Sequence, residues 1–308
     1  MRILVLGSTG FLGSWVVNKL KENYDNKLIF KSSLSLGCDL RNYHEVDSLF
    51  EKFRPEIVIN CAAHVGGIQY GLKHTMELFH DNISMIVNIF KACNDYKITR
   101  LIQPISNCAY PSHLSIYKED VFWSGPVDDS VFTYAETRRM MVVAAKSYFL
   151  QSGMDTISIV HPNLYGPGDH FEEFRSHALG ALVSKVVLAK KENKSEVAIW
   201  GTGSPIREWL HVEDAAKSIV NAIDVPPYED IINVGSGSGI SIKDLAIMIK
   251  KISGWNGNFV FDRSKIDGAP IKIIDGTKGE KFLHMHDLKL FEDGLKETIE
   301  FYISITKS

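Results

Sequence analysis

Short apolar runs alternate with amphipathic stretches through the first half of the chain. "RILVLG" at the start is an unbroken apolar run closed by glycine, which reads as a strand buried on both faces. "FLGSWVVNKLKEN" follows with apolar positions at helical spacing. "NKLIFKS" predicts a second strand, "EVDSLFEKFRP" an amphipathic helix halted at Pro55, and "EIVINCAA" a third strand. "FHDNISMIVNIFKACNDY" predicts a helix, "RLIQPIS" a fourth strand, "YAETRRMMVVAAKSYFLQSG" a long helix ended by Gly153, and "DTISIVHPN" one more strand. Strands that alternate with helices imply an α/β fold of the Rossmann type, a doubly wound parallel sheet covered on both faces.

The rhythm changes after Pro167. "SHALGALVSKVVLAKK", "EVAIWGTG", "REWLHVEDAAKSIVNAID", "IINVGSG" and "SIKDLAIMIKKIS" read as helices and short strands, with a loop at Pro226 and Pro227. This predicts a smaller C-terminal α/β lobe for substrate. The expected division is 1–168 for a dinucleotide-binding domain and 169–308 for the lobe, with 200–235 packing back on the first.

Composition narrows the class. The chain has 308 residues, 45% hydrophobic and 23% charged, enough for a large core. A net charge of -3 gives no pull toward nucleic acid or a membrane surface. Cys38, Cys61, Cys93 and Cys108 are scattered, matching neither a disulfide framework nor a zinc site, and a reducing cytoplasm is expected. "HMH" at 284–286 lacks further ligands nearby, so no metal is expected.

"GSTGFLG" sets Gly7, Gly10 and Gly13 between the first strand and the first helix. Glycines there let the backbone approach a pyrophosphate, whose charge then meets the helix N-terminus. Phe11 and Leu12 inside that loop, and Ala62 and Ala63 after the third strand, are expected against the dinucleotide. An acidic residue at the end of the second strand would suit the ribose 2′-hydroxyl of NAD. The chain has Lys31, Ser32 and Ser33 there, which suit a 2′-phosphate, so NADP(H) is expected. Asp39 is placed to meet the adenine, and Asn163 follows the last parallel strand, near the nicotinamide.

Seven segments carry a resemblance that runs nearly end to end. They are "AAHVGGI" (62–68), "SNCAYP" (106–111), "YAETR" (134–138), "NLYGPGDHF" (163–171), "SHALGAL" (176–182), "WGTGSPIREWLHVEDAA" (200–216) and "INVGSGSGISIKDLA" (232–246). The chain resembles the extended short-chain dehydrogenase/reductases and, within them, the GDP-L-fucose synthase family. That resemblance implies an enzyme of nucleotide-sugar metabolism acting on a GDP-linked 4-keto-6-deoxy sugar. It would be a 3,5-epimerase and NADPH-dependent 4-reductase. It implies Cys108 and His177 as the epimerisation pair, and Ser106 and Tyr134 as the pair serving the C4 oxygen. It implies Val65, Gly66, Gly67, Lys185, Trp200 and Arg207 against the substrate, and a homodimer formed through the helix that carries Tyr134. An enzyme with only one of the two activities, and a non-catalytic binder of nucleotide sugars, remain as alternatives.

One residue departs from the family's pattern. The family sets a lysine four residues after its tyrosine, both to lower the phenol's pKa and to hold the nicotinamide ribose. This chain has Arg138, and Arg139 and Lys146 lie at the wrong helical phase to replace it. Free tyrosine titrates near ~10. A unit charge at about 4 Å, with an effective dielectric near ~20, is worth about 4 kcal/mol, or up to about three pKa units. Arg138 as a pure charge therefore predicts Tyr134 below its free value. A guanidinium cannot relay protons, and its planar fork fits the ribose less readily.

Overall fold

The computed structural model describes residues 1–172, 176–228, 230–265 and 267–306. β1 (Ile3–Leu6) has all four side chains buried, as an apolar strand inside a parallel sheet requires. α1 (Phe11–Asn23) begins directly after the glycine loop and buries Val16, Val17 and Leu20. β2 (Ile29–Ser32) starts later than its apolar pattern suggests. Asp25 accepts from Lys27 N and turns Asn26–Leu28 into a single 3₁₀ turn. α2 (Tyr43–Phe53) is capped by the Asn42 side chain and ends at Arg54, before Pro55. β3 (Ile57–Asn60), α3 (Ile68–Lys73), α4 (Thr75–Asp95), β4 (Arg100–Ser106), β5 (Ile116–Tyr117), α5 (Phe132–Ser152) and β6 (Thr156–His161) complete the first half.

The second half runs β7 (Asn163–Tyr165), α6 (Ala178–Lys191), β8 (Glu196–Trp200), β9 (Ile206–Arg207), β10 (Trp209–His211) and α7 (Val212–Asn221). β11 (Ile231–Asn233), β12 (Ile240–Ser241), α8 (Ile242–Ser253), β13 (Asn258–Asp262), β14 (Ile271–Ile274), α9 (Thr277–Leu283) and α10 (Phe291–Ile305) follow. The main sheet has six strands in the order β2-β1-β3-β4-β6-β11, every neighbouring pair parallel. The fold is thus a Rossmann-type α/β fold. β1 has β2 on one side and β3 on the other, which makes the C-terminal end of β1 the switch point where such sheets bind ligands.

Separate apolar cores fill the two faces of this sheet, one around Phe50, Ile89 and Phe90, the other around Val16, Leu20 and Ile219. Segment 200–235 packs on the main sheet. Its β11 edges the main sheet and its α7 lies on α1. A third core, with Leu182, Val186, Leu245, Ile249 and Ile299, joins α6, α8 and α10. Among the described residues no helix is long and apolar enough to cross a membrane.

A four-stranded sheet, β12-β9-β14-β5, joins β5 of the first half of the chain to three strands of the second. Its anchor is Glu208, which has no exposed surface. The Glu208 carboxylate accepts from Ile274 N at 2.6 Å, Ser236 N at 2.5 Å and Gly237 N at 3.0 Å. Burial pushes its pKa up, and these bonds oppose the shift. Glu208→Ala would leave the buried Ile274 N–H without an acceptor, at about 1–3 kcal/mol, and would release the more exposed Ser236 and Gly237 N–H groups to water. We expect the variant to lose about 1–3 kcal/mol, measured as a lower urea midpoint. A loss under about 0.5 kcal/mol would show that Glu208 anchors nothing.

Candidate active site

The glycine loop is shaped by its contact with β3. Gly7 has φ +70°, and a Cβ there would lie 2.7 Å from Ala62 N. Only glycine allows this turn to rest on the Cys61–Ala62 backbone, and the cradle so formed opens at the switch point. No carboxylate stands at the end of β2. Three hydroxyls stand beside the loop instead: Thr9 Oγ1 donates to Ser33 Oγ at 3.0 Å, and Ser35 Oγ lies 2.9 Å from Thr9 Oγ1 and 3.0 Å from Ser33 Oγ. Thr9 and Ser35 were not legible as site residues, because their meeting needs the loop to fold onto the strand end. Ser32 points inward and is 2% exposed, while Lys31 is exposed on the strand. Asp39 is engaged by Arg41, whose bonds hold its carboxyl below the usual range. Hydroxyl donors without a carboxylate fit NADP(H).

The residues expected to react meet where β4 stops and α5 begins. Ser106 caps the 3₁₀ turn Asn107–Ala109, accepting from Cys108 N at 3.4 Å, and its Oγ lies 2.7 Å from Cys108 Sγ. Arg139 fixes this turn from the far side. It donates to Ala109 O and Gly125 O at 2.8 Å each. Its helical phase carries it away from Tyr134, as its spacing implied.

Tyr134 and Arg138 lie one helical turn apart, with the guanidinium 4.9 Å from the centre of the Tyr134 ring. The expectation that Tyr134 titrates below its free value is corrected. Burial raises its pKa, Arg138 lowers it, Cys108 raises it, and the net direction is up. The physical reason is twofold. The phenol is deeply surrounded, and the guanidinium spends its Nη2 on Asn82 Oδ1, at 2.6 Å, while its Nε has no partner. Asn82 is a residue that sequence reasoning missed. A lone asparagine within "FHDNISM" carries no signal until its carbonyl is seen to face α5.

Lys272 was missed as well. β14 sets it in register with Arg207. Burial lowers the pKa of Lys272, Cys108 raises it, and Arg207 lowers it again, so all three share one electrostatic neighbourhood. Arg207 donates to Ile206 O at 2.9 Å and Asp267 O at 3.3 Å. Its pKa is lowered by burial, against the pull of Tyr117, Asp128 and Asp267.

His177 sits at the N-cap of α6, and its side chain makes no capping bond. The residue reaches solvent although protein crowds its ring, and that crowding, then the charge of His170, lowers its pKa. Gly67 brings loop 65–67 to it, since a Cβ on Gly67 would meet Ser176 O at 2.9 Å. Among the described residues Cys108 bonds Ser106 and not His177. Lys185 lies 4.9 Å and Lys265 5.7 Å from the Trp200 ring, which is 41% exposed. Asn163 Nδ2 donates to Glu208 O at 3.1 Å. No group of three His, Cys, Asp or Glu suited to a metal occurs among the described residues.

Comparison with known proteins agrees with this geometry. The model of the family described as "NAD dependent epimerase/dehydratase family" matches residues 3–235. A putative GDP-L-fucose synthase 2 of Arabidopsis thaliana is 33% identical over 98% of this chain and 92% of its own length. A GDP-L-fucose synthetase from Naegleria fowleri, solved with NADP bound, superposes with a TM-score of 0.87 at 28% identity, covering 100% of this chain and 95% of that one. A GDP-6-OMe-4-keto-L-xylo-heptose reductase from C. jejuni has a TM-score of 0.91 at 24% identity, covering 99% and 98%, which is a likeness of fold. The chain is an NADP-dependent oxidoreductase/epimerase of nucleotide sugars and belongs to the NAD-dependent epimerase/dehydratase family.

Proposed function

We propose that this enzyme takes a GDP-linked 4-keto-6-deoxy sugar, epimerises C3 and C5, and reduces C4. The observation that carries the reading is the junction of Ser106, Cys108, Tyr134 and Arg138 where β4 meets α5, with Ser106 Oγ 2.7 Å from Cys108 Sγ. The substrate's ketone acidifies the protons on C3 and C5. The Cys108 thiolate removes one, and Lys272 supplies positive charge near it. His177 returns a proton from the other side of the loop at Gly67. Its lowered pKa makes the imidazolium a stronger acid that reloads from solvent.

NADPH, when bound, supplies hydride to C4. Ser106 hydrogen-bonds the C4 oxygen and Tyr134 gives it a proton. The raised pKa keeps the phenol loaded at neutral pH. Gly7, Gly10, Phe11, Leu12, Gly13, Ala62, Ala63, Asp39 and Asn163 would hold the dinucleotide. Thr9, Ser33 and Ser35, with Lys31, would take its 2′-phosphate. Val65, Gly66, Gly67, Lys185, Trp200 and Arg207 would hold the sugar and diphosphate. The division of labour we propose gives 1–168, with 200–235, to the cofactor and 169–308 to the sugar nucleotide. Four free cysteines suit the cytoplasm.

A homodimer is part of this reading. Met76, Phe79 and Val87 on α4, and Met140, Val143 and Leu150 on α5, are exposed apolar residues along two packed helices. Two such pairs make a four-helix bundle. Light scattering at micromolar concentration is expected to give twice the mass of 34.6 kDa, and a monomer would overturn it.

Cofactor choice is read by fluorescence titration. NADPH is expected to bind at least about tenfold more tightly than NADH, and Thr9→Val with Ser35→Ala to remove most of that ratio, since each lost charge-assisted hydrogen bond costs about 1.5–3 kcal/mol. Equal affinities in the wild type would reject the hydroxyl site.

The reaction is tested with GDP-4-keto-6-deoxymannose and NADPH in D₂O. Cys108→Ser is expected to abolish deuterium uptake at C3 and C5 and keep NADPH affinity. Arg138→Met is expected to slow NADPH oxidation about a hundredfold, within the range for a disabled general acid, and to leave uptake nearly unchanged, while Arg138→Lys keeps oxidation. Oxidation without uptake in the wild type would mark a pure C4-reductase. Neither activity with any GDP-4-keto sugar would mark a binder.

A further inference from the structure

A hydrogen-bonded series lies just outside the reacting groups. Asp81 Oδ2 is 2.8 Å from His64 Nδ1, and His64 Nε2 is 2.7 Å from the Tyr70 hydroxyl. A carboxylate only accepts, so Nδ1 carries a hydrogen toward Asp81, and Nε2 pairs with the Tyr70 hydroxyl. Asp81 is held in turn by Arg41, whose Nη1 is 3.2 Å from each carboxylate oxygen. Burial opposes the charge on Asp81, but bonds from His64, Arg41 and His80 outweigh it and hold the carboxyl below its usual range. The His64 ring is therefore fixed at both nitrogens.

The backbone of the same residue is fixed separately. His64 N donates to Asn82 Oδ1 at 3.1 Å, and Asn82 Nδ2 donates to His64 O at 2.9 Å and Leu78 O at 2.7 Å. The remaining acceptor position on Asn82 Oδ1 is filled by Arg138 Nη2. An amide carbonyl has two lone pairs and its nitrogen two hydrogens, so the Asn82 side chain is fully used. Asn82 has no exposed surface and cannot turn without losing all four bonds. Arg138 is 3% exposed, and among the described residues Asn82 supplies the hydrogen bond that holds it.

We propose that His64 is a positioning residue: clamped by Asp81 and Tyr70, it holds Asn82, and through Asn82 it sets the Arg138 guanidinium against Tyr134. The inference rests on the reading of Tyr134 and Arg138 as the reducing pair. It deepens that reading by saying how an arginine keeps a fixed place there. The clamp also reaches the loop that faces the sugar. Val65 follows His64 directly, and a Cβ on Gly66 would meet the Tyr70 ring at 2.4 Å, so the tyrosine lies flat on that loop.

Two measurements test it. The first needs no sugar: protein labelled with 3-fluorotyrosine, its Tyr134 resonance assigned by Tyr134→Phe. Arg138→Met should shift that resonance, because the cation over the ring is gone. His64→Ala should shift it in the same direction, and the double variant should match Arg138→Met alone. Tyr70→Phe removes a single hydroxyl, should shift it the same way by less, and serves if His64→Ala folds poorly. The second is a kinetic cycle. His64→Ala should lower kcat for NADPH oxidation about tenfold, the size of a coupling near ~1.4 kcal/mol. It should have no further effect on kcat in the Arg138→Met background, and His64→Asn, which keeps an N–H toward Asp81, should recover to within about threefold. A still resonance in both His64→Ala and Tyr70→Phe overturns the proposal, as do additive losses in the cycle. If no GDP-4-keto sugar is turned over by the wild type, the functional reading fails, and the fluorine measurement still decides the role of His64.

Discussion

Glu208 is a buried carboxylate that forms no ion pair among the described residues. Its carboxylate is satisfied by three backbone N–H groups from two separate stretches, 236–237 and 274. A charge buried without such bonds would cost several kcal/mol, so this residue fixes where those stretches run. The consequence reaches the site through its neighbours. Arg207 precedes Glu208, and Lys272 stands opposite Arg207 in β14. By holding β14 and the 236–237 turn to one point, Glu208 keeps Lys272 beside Arg207 and within the electrostatic reach of a thiol from the first half of the chain.

Tyr134 shows which of two opposed effects wins. A unit charge about 5 Å away, at an effective dielectric near ~20, is worth about 3 kcal/mol. That would lower the phenol by about two pKa units. Burial outweighs it, and the charge of Cys108 adds to burial. The geometry agrees with this result, since the guanidinium faces the ring rather than the oxygen and is committed to Asn82. A raised pKa keeps the phenol protonated at neutral pH but makes it a weaker acid, so it can give its proton only to an oxygen that has become strongly basic. The arrangement therefore suits proton delivery to an oxygen that is gaining negative charge, the direction of a ketone reduction.

The fold was legible where one segment carried its own signal. The buried runs "ILVL" and "IVIN" and the amphipathic helices needed no partner to declare themselves. β5, β13 and β14 were not seen, because each is short or mixed and becomes a strand only by pairing: β5 with β14, β13 with β8. Within the site, Ser106, Cys108 and Tyr134 stood in recognisable strings, and the structure sets them in one neighbourhood. Asn82, Lys272 and Thr9 were hidden for a common reason. Each acts through a contact made across 24 or more positions of sequence, as Thr9 does with Ser33 and Asn82 with Arg138. The direction of the Tyr134 shift was misjudged because charge spacing can be read from a sequence and desolvation cannot.

The exchange of lysine for arginine is better understood as a change in surroundings than as a loss. A lysine in that place would present three hydrogens on a rotating ammonium and could follow a ribose and a phenol together. An arginine is planar and longer, and when buried it needs an acceptor in its own plane or its charge stays unpaid. Asn82 gives that acceptor, and its own amide is locked by His64 and Leu78. The site thus exchanges a mobile cation for a fixed one. A fixed cation over an aromatic face keeps the tyrosine's ring in place even where it does little for the oxygen. On the proposed reading of Tyr134 as the acid, Arg138 contributes orientation more than acidity, and orientation alone is worth several kcal/mol to a proton transfer that must reach one oxygen.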